Sequence, residues 1–294
     1  MKADSGNTQL TFWDHLDELR GVLVRCIILL VLLTLVAFCF REELFGIVLA
    51  PKNPDFCIYG LFCRIAEWIQ LPSLCPDTFY VRLINTELAG QFLTHMSVAF
   101  YAGLLLASPY ILYQLFRFVS PALYEDERKY SLRVVVWGYV LFMLGVLLNY
   151  FLIFPLTFRF LALYQVSAEV ENTIVLTSYI DMLMMLSLMM GIVFEIPILC
   201  WLFAQLGLLT ASFMRTYRKH AIVVVLVIAA VITPTSDVFT LLMVAFPMVL
   251  LYEASILVVR RVEKNKLKDN HDKKNDRAGA VSGHGDRYTG SAGR

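Results

Sequence analysis

Charge in this chain falls in short clusters separated by six long apolar runs, and that arrangement restricts it to folds that cross a lipid bilayer. The runs cover residues 21–40, 88–116, 134–158, 179–206, 221–236 and 238–259. Only 17% of the 294 residues are charged and 59% are hydrophobic, whereas a soluble domain carries about a quarter charged residues. The sequence therefore predicts an all-α integral membrane protein with six transmembrane helices. A hydrocarbon core of roughly 30 Å takes about 20 helical residues. The fifth run, sixteen residues long, reaches only about 24 Å. The fifth and sixth spans are expected to be short, with the turn between them set below the far membrane surface.

Lys and Arg set the orientation. Arg117, Arg128, Lys129 and Arg133 follow the second run; Arg215, Arg218 and Lys219 follow the fourth; Arg260 and Arg261 follow the sixth. The loop after the third run carries only Arg159, and the turn after the fifth carries no base. Both termini are then cytoplasmic. The roughly fifty-residue loop after the first run holds Arg41, Lys52, Arg64 and Arg82, but long loops weigh little in this rule. The domain organisation that follows is a cytoplasmic interfacial helix over 1–20, a six-span domain over 21–260 with an outer loop at 41–87, and a disordered cytoplasmic tail over 261–294. Acids ahead of the first run (Asp4, Asp14, Asp17, Glu18) oppose a cleavable leader, so the first span is expected to stay. Cys26, Cys39 and Cys200 fall within spans, whereas Cys57, Cys63 and Cys75 share the outer loop, where oxidation is permitted and no pairing can be read.

Two polar clusters face the inner surface. In Phe12-Trp13-Asp14-His15-Leu16-Asp17-Glu18-Leu19-Arg20, leucines recur at helical spacing while Asp14 and Glu18 share another face. In the stretch Phe118-Val119-Ser120-Pro121-Ala122-Leu123-Tyr124-Glu125-Asp126-Glu127-Arg128, three acids follow an aromatic shelf. Carboxylates beside aromatics suit a guanidinium, whose planar fork they accept in pairs and which Lys cannot reproduce. Solvated charges beside an anchor and an internal salt-bridge cluster are the plainer alternatives.

These segments resemble the signature regions of TatC, the multispanning subunit of the twin-arginine protein translocase. His15-Leu16-x-Glu18-Leu19-Arg20 is similar to its N-terminal motif, and Phe118-Val119-x-Pro121-Ala122-Leu123-Tyr124-x-x-Glu127-Arg128 to its first cytoplasmic loop. Leu49-Ala50-Pro51, Asn149-Tyr150-Phe151, Phe154-Pro155-Leu156, Phe194-Glu195-x-Pro197, Thr233-Pro234 and Asp237-Val238-Phe239 continue the pattern, with Pro247 and Glu253 at its end. The resemblance covers about residues 10–260. It implies a receptor and core subunit of the bacterial inner membrane that binds twin-arginine signal peptides of folded proteins. It further implies single-span partners of the TatA and TatB type, self-association in a larger complex, contact with lipids, and transport driven by the proton gradient. Glu18 and Glu127 would receive the arginine pair, and Arg20, Phe118 and Tyr124 would shape the region, with Pro51 in support.

Glu195 lies inside the fourth run, two residues before Pro197, which frees a backbone carbonyl. A carboxyl at that depth costs on the order of 3 kcal/mol, so it must be neutral, paired or facing water. The resemblance assigns it partner or lipid contact. Some members of the family carry a second polar residue where this chain has Leu241, which leaves Thr240 or Thr233 to assist. Pro121, Pro234 and Asp237 are expected to be structural, Asp237 as the N-cap of the sixth span.

No phosphate-binding loop, nucleophile elbow or metal-ligand spacing occurs in the sequence, so neither an enzyme nor a cofactor is expected. An intramembrane enzyme would need a second group near Glu195, and His95 is the one candidate. An ion-coupled secondary transporter of a small solute is the alternative function. Such transporters show internal repeats, and the halves of this chain differ in loop length and motif.

Overall fold

The computed structural model describes residues 12–54, 56, 58–60, 64, 81–119, 131–165, 167, 172–233, 235 and 237–285. Side chains are described only from 16 at the start, to 118 and again from 134 around the 120–130 loop, and to 266 at the end. The helices are α1 (Phe12–Phe38), α2 (Arg41–Leu49), α3 (Gly90–Val119), α4 (Ser131–Leu148), α5 (Phe154–Leu163), α6 (Leu176–Val193), α7 (Ile196–Gln205), α8 (Ala211–Thr216), α9 (Arg218–Ile232) and α10 (Val238–Gly285). Five stretches are long and apolar enough to cross a bilayer: Leu16–Phe38, Gly90–Phe118, Val134–Leu163, Leu176–Gln205 and Val238–Lys266. The fifth apolar run forms α9, whose 15 residues give about 22 Å, short of the hydrocarbon thickness.

Several sequence expectations need correction. The sixth span is not short, because its apolar run over 238–259 is by itself long enough to cross and the helix carries on past it to Lys266. Residues 261–285 are helical, not disordered, since no Pro and no Gly before Gly279 interrupts a run of good helix formers. The expected interfacial helix is no separate element. It is the first turns of α1, since Gly21 is tolerated within a helix and no proline breaks the register. A two-residue parallel ladder, β1 (Leu83–Ile84) with β2 (Ile174–Val175), is the one strand pairing among the described residues.

Two packing units make up the chain. The first contains residues 1–195 and 225–248. Here α1 lies along α3, and α4 and α6 pack beside α3 and on each other. A side chain at Gly103 would meet Thr34 at once, its Cβ 2.5 Å from Oγ1 and 2.8 Å from the Thr34 amide nitrogen. Only glycine lets the two backbones come that close, which is how small residues pair helices where lipid supplies no hydrophobic drive. At the far end of this pair, the His95 ring of α3 stacks on Phe38 of α1 with centroids 4.0 Å apart.

Two prolines interrupt the third and fourth spans. Pro155 lacks an N–H, and the chain absorbs this by widening to a π turn over Asn149–Ile153 before α5 begins. Pro197 does the same to span four, where α6 stops at Val193 and α7 starts at Ile196, leaving Phe194 and Glu195 in a turn. Buried Asn149 is not left idle by the widened turn. Its Nδ2 donates to Ser187 Oγ on α6 at 2.7 Å.

The outer loop is tied down by tyrosine hydroxyls. Tyr150 donates to the Ile47 carbonyl at 2.7 Å, Tyr179 to Val48 at 3.0 Å and Tyr59 to Pro51 at 3.0 Å. These carbonyls belong to the end of α2 and the 3-10 turn after it, where the helix no longer supplies its full set of donors. Burial pushes the Tyr59 hydroxyl up to about 12, against the pull of the neighbouring Arg159 guanidinium, so it stays a donor. Pro51 is buried here, and its carbonyl is the one Tyr59 holds.

The second unit contains residues 196–224 and 249–294. The extension of α10 holds the loop between α7 and α8: Glu263 accepts from the Ala211 amide at 2.9 Å, and Lys266 donates to the carbonyls of Ala204 and Gln205. Arg218 pairs with Glu253 at 2.5 Å, and Tyr252 donates to the Met214 carbonyl at 2.8 Å.

Asp237 caps α10, its Oδ1 accepting from the Thr240 amide and its Oδ2 from the Thr240 hydroxyl, both at 2.7 Å. Partial burial pushes this carboxyl up, but the hydrogen bonds from the Thr240 amide and hydroxyl outweigh it and hold it below the ordinary range. The charged form is therefore the one that stabilises. Its contribution is full above the ordinary carboxylate value and is lost as pH falls through the depressed one. We expect Asp237→Ala to cost about 1 kcal/mol at pH 7, a gap that closes as the sample is acidified, measured by thermal unfolding in detergent at both pH values.

Candidate functional site

Four residues of α1, Glu18, Gly21, Val22 and Arg25, follow the i, i+3, i+4, i+7 spacing of one helix face. Gln114, Arg117 and Phe118 do the same at the end of α3. Because α1 and α3 lie together, these faces meet, and with Asp17 they line a cavity of about 180 Å³. Asp17 and Glu18 are exposed at its mouth. Gln114 is buried behind, its Nε2 donating to Tyr110 Oη at 2.6 Å and its Oε1 without a partner among the described residues. Arg218–Glu253 is the one ion pair among the described residues. Asp17 and Glu18 thus stand beside Arg25 and Arg117 without closing a salt bridge to either.

Of the residues singled out in the sequence, Glu18 and Phe118 come together here. Arg20 is exposed and does not line the cavity. Pro121, Tyr124 and Glu127 lie outside the described residues, as do Pro234, Cys57, Cys63 and Cys75. Asp17, Arg25, Gln114 and Arg117 were missed. Helical spacing from Glu18 points to Arg25, and spacing back from Phe118 points to Gln114, so the signal was present on each helix. What the sequence lacked was the register between the two helices.

Glu195 occupies the turn between α6 and α7. A Cβ at Gly138 of α4 would lie 3.3 Å from its Oε2 and 3.4 Å from the Phe116 ring, so the missing side chain at 138 makes room for the carboxyl. Oε1 is buried with no hydrogen-bond partner among the described residues. Thr240, expected to assist Glu195, instead has its hydroxyl engaged by Asp237. Phe116 lies on the face of α3 opposite Gln114 and Phe118, so the last turns of α3 carry the cavity on one side and Glu195 on the other. His95 is 21 residues back along α3, roughly 31 Å of helical rise from Phe116, too far to act with Glu195.

Several apolar helices long enough to cross a bilayer, two of them with interrupted backbones, define a polytopic membrane protein. Residues 14–247 match the family described as Sec-independent protein translocase protein (TatC). The protein of that name from Blattabacterium sp. subsp. Periplaneta americana is 32% identical over 88% of this chain and 98% of its own length. TatCy of Bacillus subtilis is 36% identical over 89% of this chain and 94% of its own. A crystal structure described as the twin-arginine translocase receptor TatC superposes with a TM-score of 0.67 at 31% identity, covering 85% of this chain and 99% of that one. The same receptor in DDM gives 0.68 at 31% identity over 83% and 98%. The chain belongs to the TatC family. It is a multi-pass protein of the bacterial inner membrane and a non-enzymatic core subunit of a Tat translocase, working in a complex with other subunits. Nothing favours the transporter alternative.

A buried carboxyl oxygen with no partner among the described residues lowers stability. We expect Glu195→Leu to raise the unfolding free energy by about 1–3 kcal/mol, read as a higher melting temperature in detergent. A lower one would make Glu195 a packing residue.

Proposed function

We propose that the cavity between α1 and α3 is where the chain receives the paired arginines of a signal peptide. The observation that carries this is the pair of exposed, unbridged carboxylates, Asp17 and Glu18, at the mouth of a cavity walled by Phe118. Arginine fits because its fork satisfies two carboxylate oxygens at once, while its flat face lies on an aromatic ring. Glu127, with Tyr124 in the following loop, supplies further acid and aromatic surface in this proposal. Arg20 acts from the exposed side of α1.

The positive-inside distribution supports a cytoplasmic position for this cavity and for both termini, where an unexported leader would arrive. The relatives' descriptions as twin-arginine translocase receptor agree with a leader as the ligand. The chain carries no nucleotide-hydrolysing motif, so the energy for transport comes from the membrane gradient, roughly 2.3 kcal/mol per charge per 100 mV. Single-span subunits of the TatA and TatB type, further copies of this chain and surrounding lipid are the partners proposed for the membrane-facing surfaces, with Glu195 contributing a polar contact to one of them.

Gly21 offers a clean test, because a Cβ built there meets nothing within 4 Å. We expect Gly21→Trp to fold normally, fill the cavity and weaken leader binding at least tenfold, about 1.4 kcal/mol. A leader with both arginines exchanged for lysine should bind comparably weakly to the unaltered chain, and Glu18→Gln should remove the difference between the two leaders. Equal affinity of the arginine and lysine leaders for the unaltered protein contradicts the proposal. Glu195→Ala should keep leader affinity while reducing co-purification of single-span partners. Normal partner recovery removes it from that role.

A further inference from the structure

A second cavity, about 550 Å³, opens in the first packing unit between α5, α6 and the turn ahead of α10. It lies at the membrane face opposite Glu18. Tyr179, in its wall, bonds to the Val48 carbonyl in the loop beyond the far end of α1. Its volume is within the range of pockets that hold small ligands. The wall is half apolar, from Phe158, Leu161 and Met182, and half polar, from Ser178, Asp181 and Thr235. Asn172 braces one side, its Nδ2 donating to the carbonyls of Ala162 and Tyr164 at 3.1 and 2.8 Å.

Asp181 is the charged group in this lining. It is exposed and joins no ion pair among the described residues, and no Lys, Arg or His lines the cavity with it. It also lies within the span, five residues after Leu176, about 8 Å along the helix from where the span begins. That is the depth at which lipid headgroups give way to acyl chains. A carboxylate held there faces a region where counter-ions from bulk water are sparse, and a cation tethered to an acyl chain is abundant.

We propose that this cavity is a lipid site selective for a phospholipid with a primary ammonium headgroup, such as phosphatidylethanolamine. The ammonium bonds to the two carboxylate oxygens of Asp181, with the Ser178 hydroxyl as a further acceptor, and the glycerol end of an acyl chain lies on Phe158, Leu161 and Met182. A primary ammonium carries three N–H donors on a compact charge, which three neighbouring oxygens can satisfy together. Headgroups of net negative charge are repelled by Asp181. The site needs neither the leader cavity nor its proposed ligand.

The test is native mass spectrometry of the full chain, released from detergent with phosphatidylethanolamine or phosphatidylglycerol of identical acyl chains. We expect phosphatidylethanolamine to bind about tenfold tighter, and phosphatidylcholine, whose ammonium has no N–H, to resemble phosphatidylglycerol. Asp181→Asn, a change of nearly constant shape at an exposed position, should remove the preference, and Asp181→Glu should restore part of it. Equal binding of the two lipids to the unaltered chain overturns the proposal, as does an Asp181→Asn variant with the preference intact. Displacement of bound lipid by glycerophosphoethanolamine at equal concentration also overturns it, by showing that a soluble amine suffices.

Discussion

The close approach of α1 and α3 at Thr34 and Gly103 is the constraint on which the rest of the functional surface depends. Neither helix carries a site alone. Glu18, Gly21, Val22 and Arg25 are one face of a membrane anchor, and Gln114, Arg117 and Phe118 are the last turns of a span. Bringing the backbones together through a residue without a side chain turns two ordinary faces into a cavity with acids at its mouth. The far end of the same pair is fixed separately, by the His95 ring on Phe38 and by tyrosine hydroxyls on carbonyls at the end of α2 and in the 3-10 turn after it.

Polar groups inside the membrane divide into two kinds. Asn149 with Ser187, and Asp237 with Thr240, are satisfied by neighbours and serve the backbone: one beside a turn widened for Pro155, the other at the start of α10. Glu195 is different. It lies in the break caused by Pro197, in space left by Gly138, with one oxygen buried and unpartnered. A protein selected for stability alone would not keep it, since an apolar side chain of that size would pack without the desolvation cost. Its neighbour Phe116 shares the last turns of α3 with the cavity proposed to receive the leader.

Much of this was legible in the residues. The apolar runs located the spans, because their length is fixed by bilayer thickness, and Pro197 marked the break in span four because the missing N–H admits few outcomes. The register of α1 on α3 was not legible. It is set by one glycine among fifteen, and nothing local distinguishes Gly103 from a glycine that merely sits in a helix. The tail was misjudged for a related reason. Composition reported polarity over 261–285, whereas Glu263 and Lys266 use that polarity to hold the α7–α8 loop. The tyrosine hydroxyls were equally hidden, since each bonds to a carbonyl about 100 residues away or more, or across a loop.

The most direct measurement places a photo-crosslinking residue beside the arginine pair of a leader and maps its adducts on the unaltered full chain in native membranes. The account predicts adducts on the segments that line the cavity, residues 17–25 and 114–118, abolished when excess unmodified arginine leader competes and retained when the lysine leader does. A leader that binds these membranes but forms its adducts elsewhere, with none on those two segments, would contradict it.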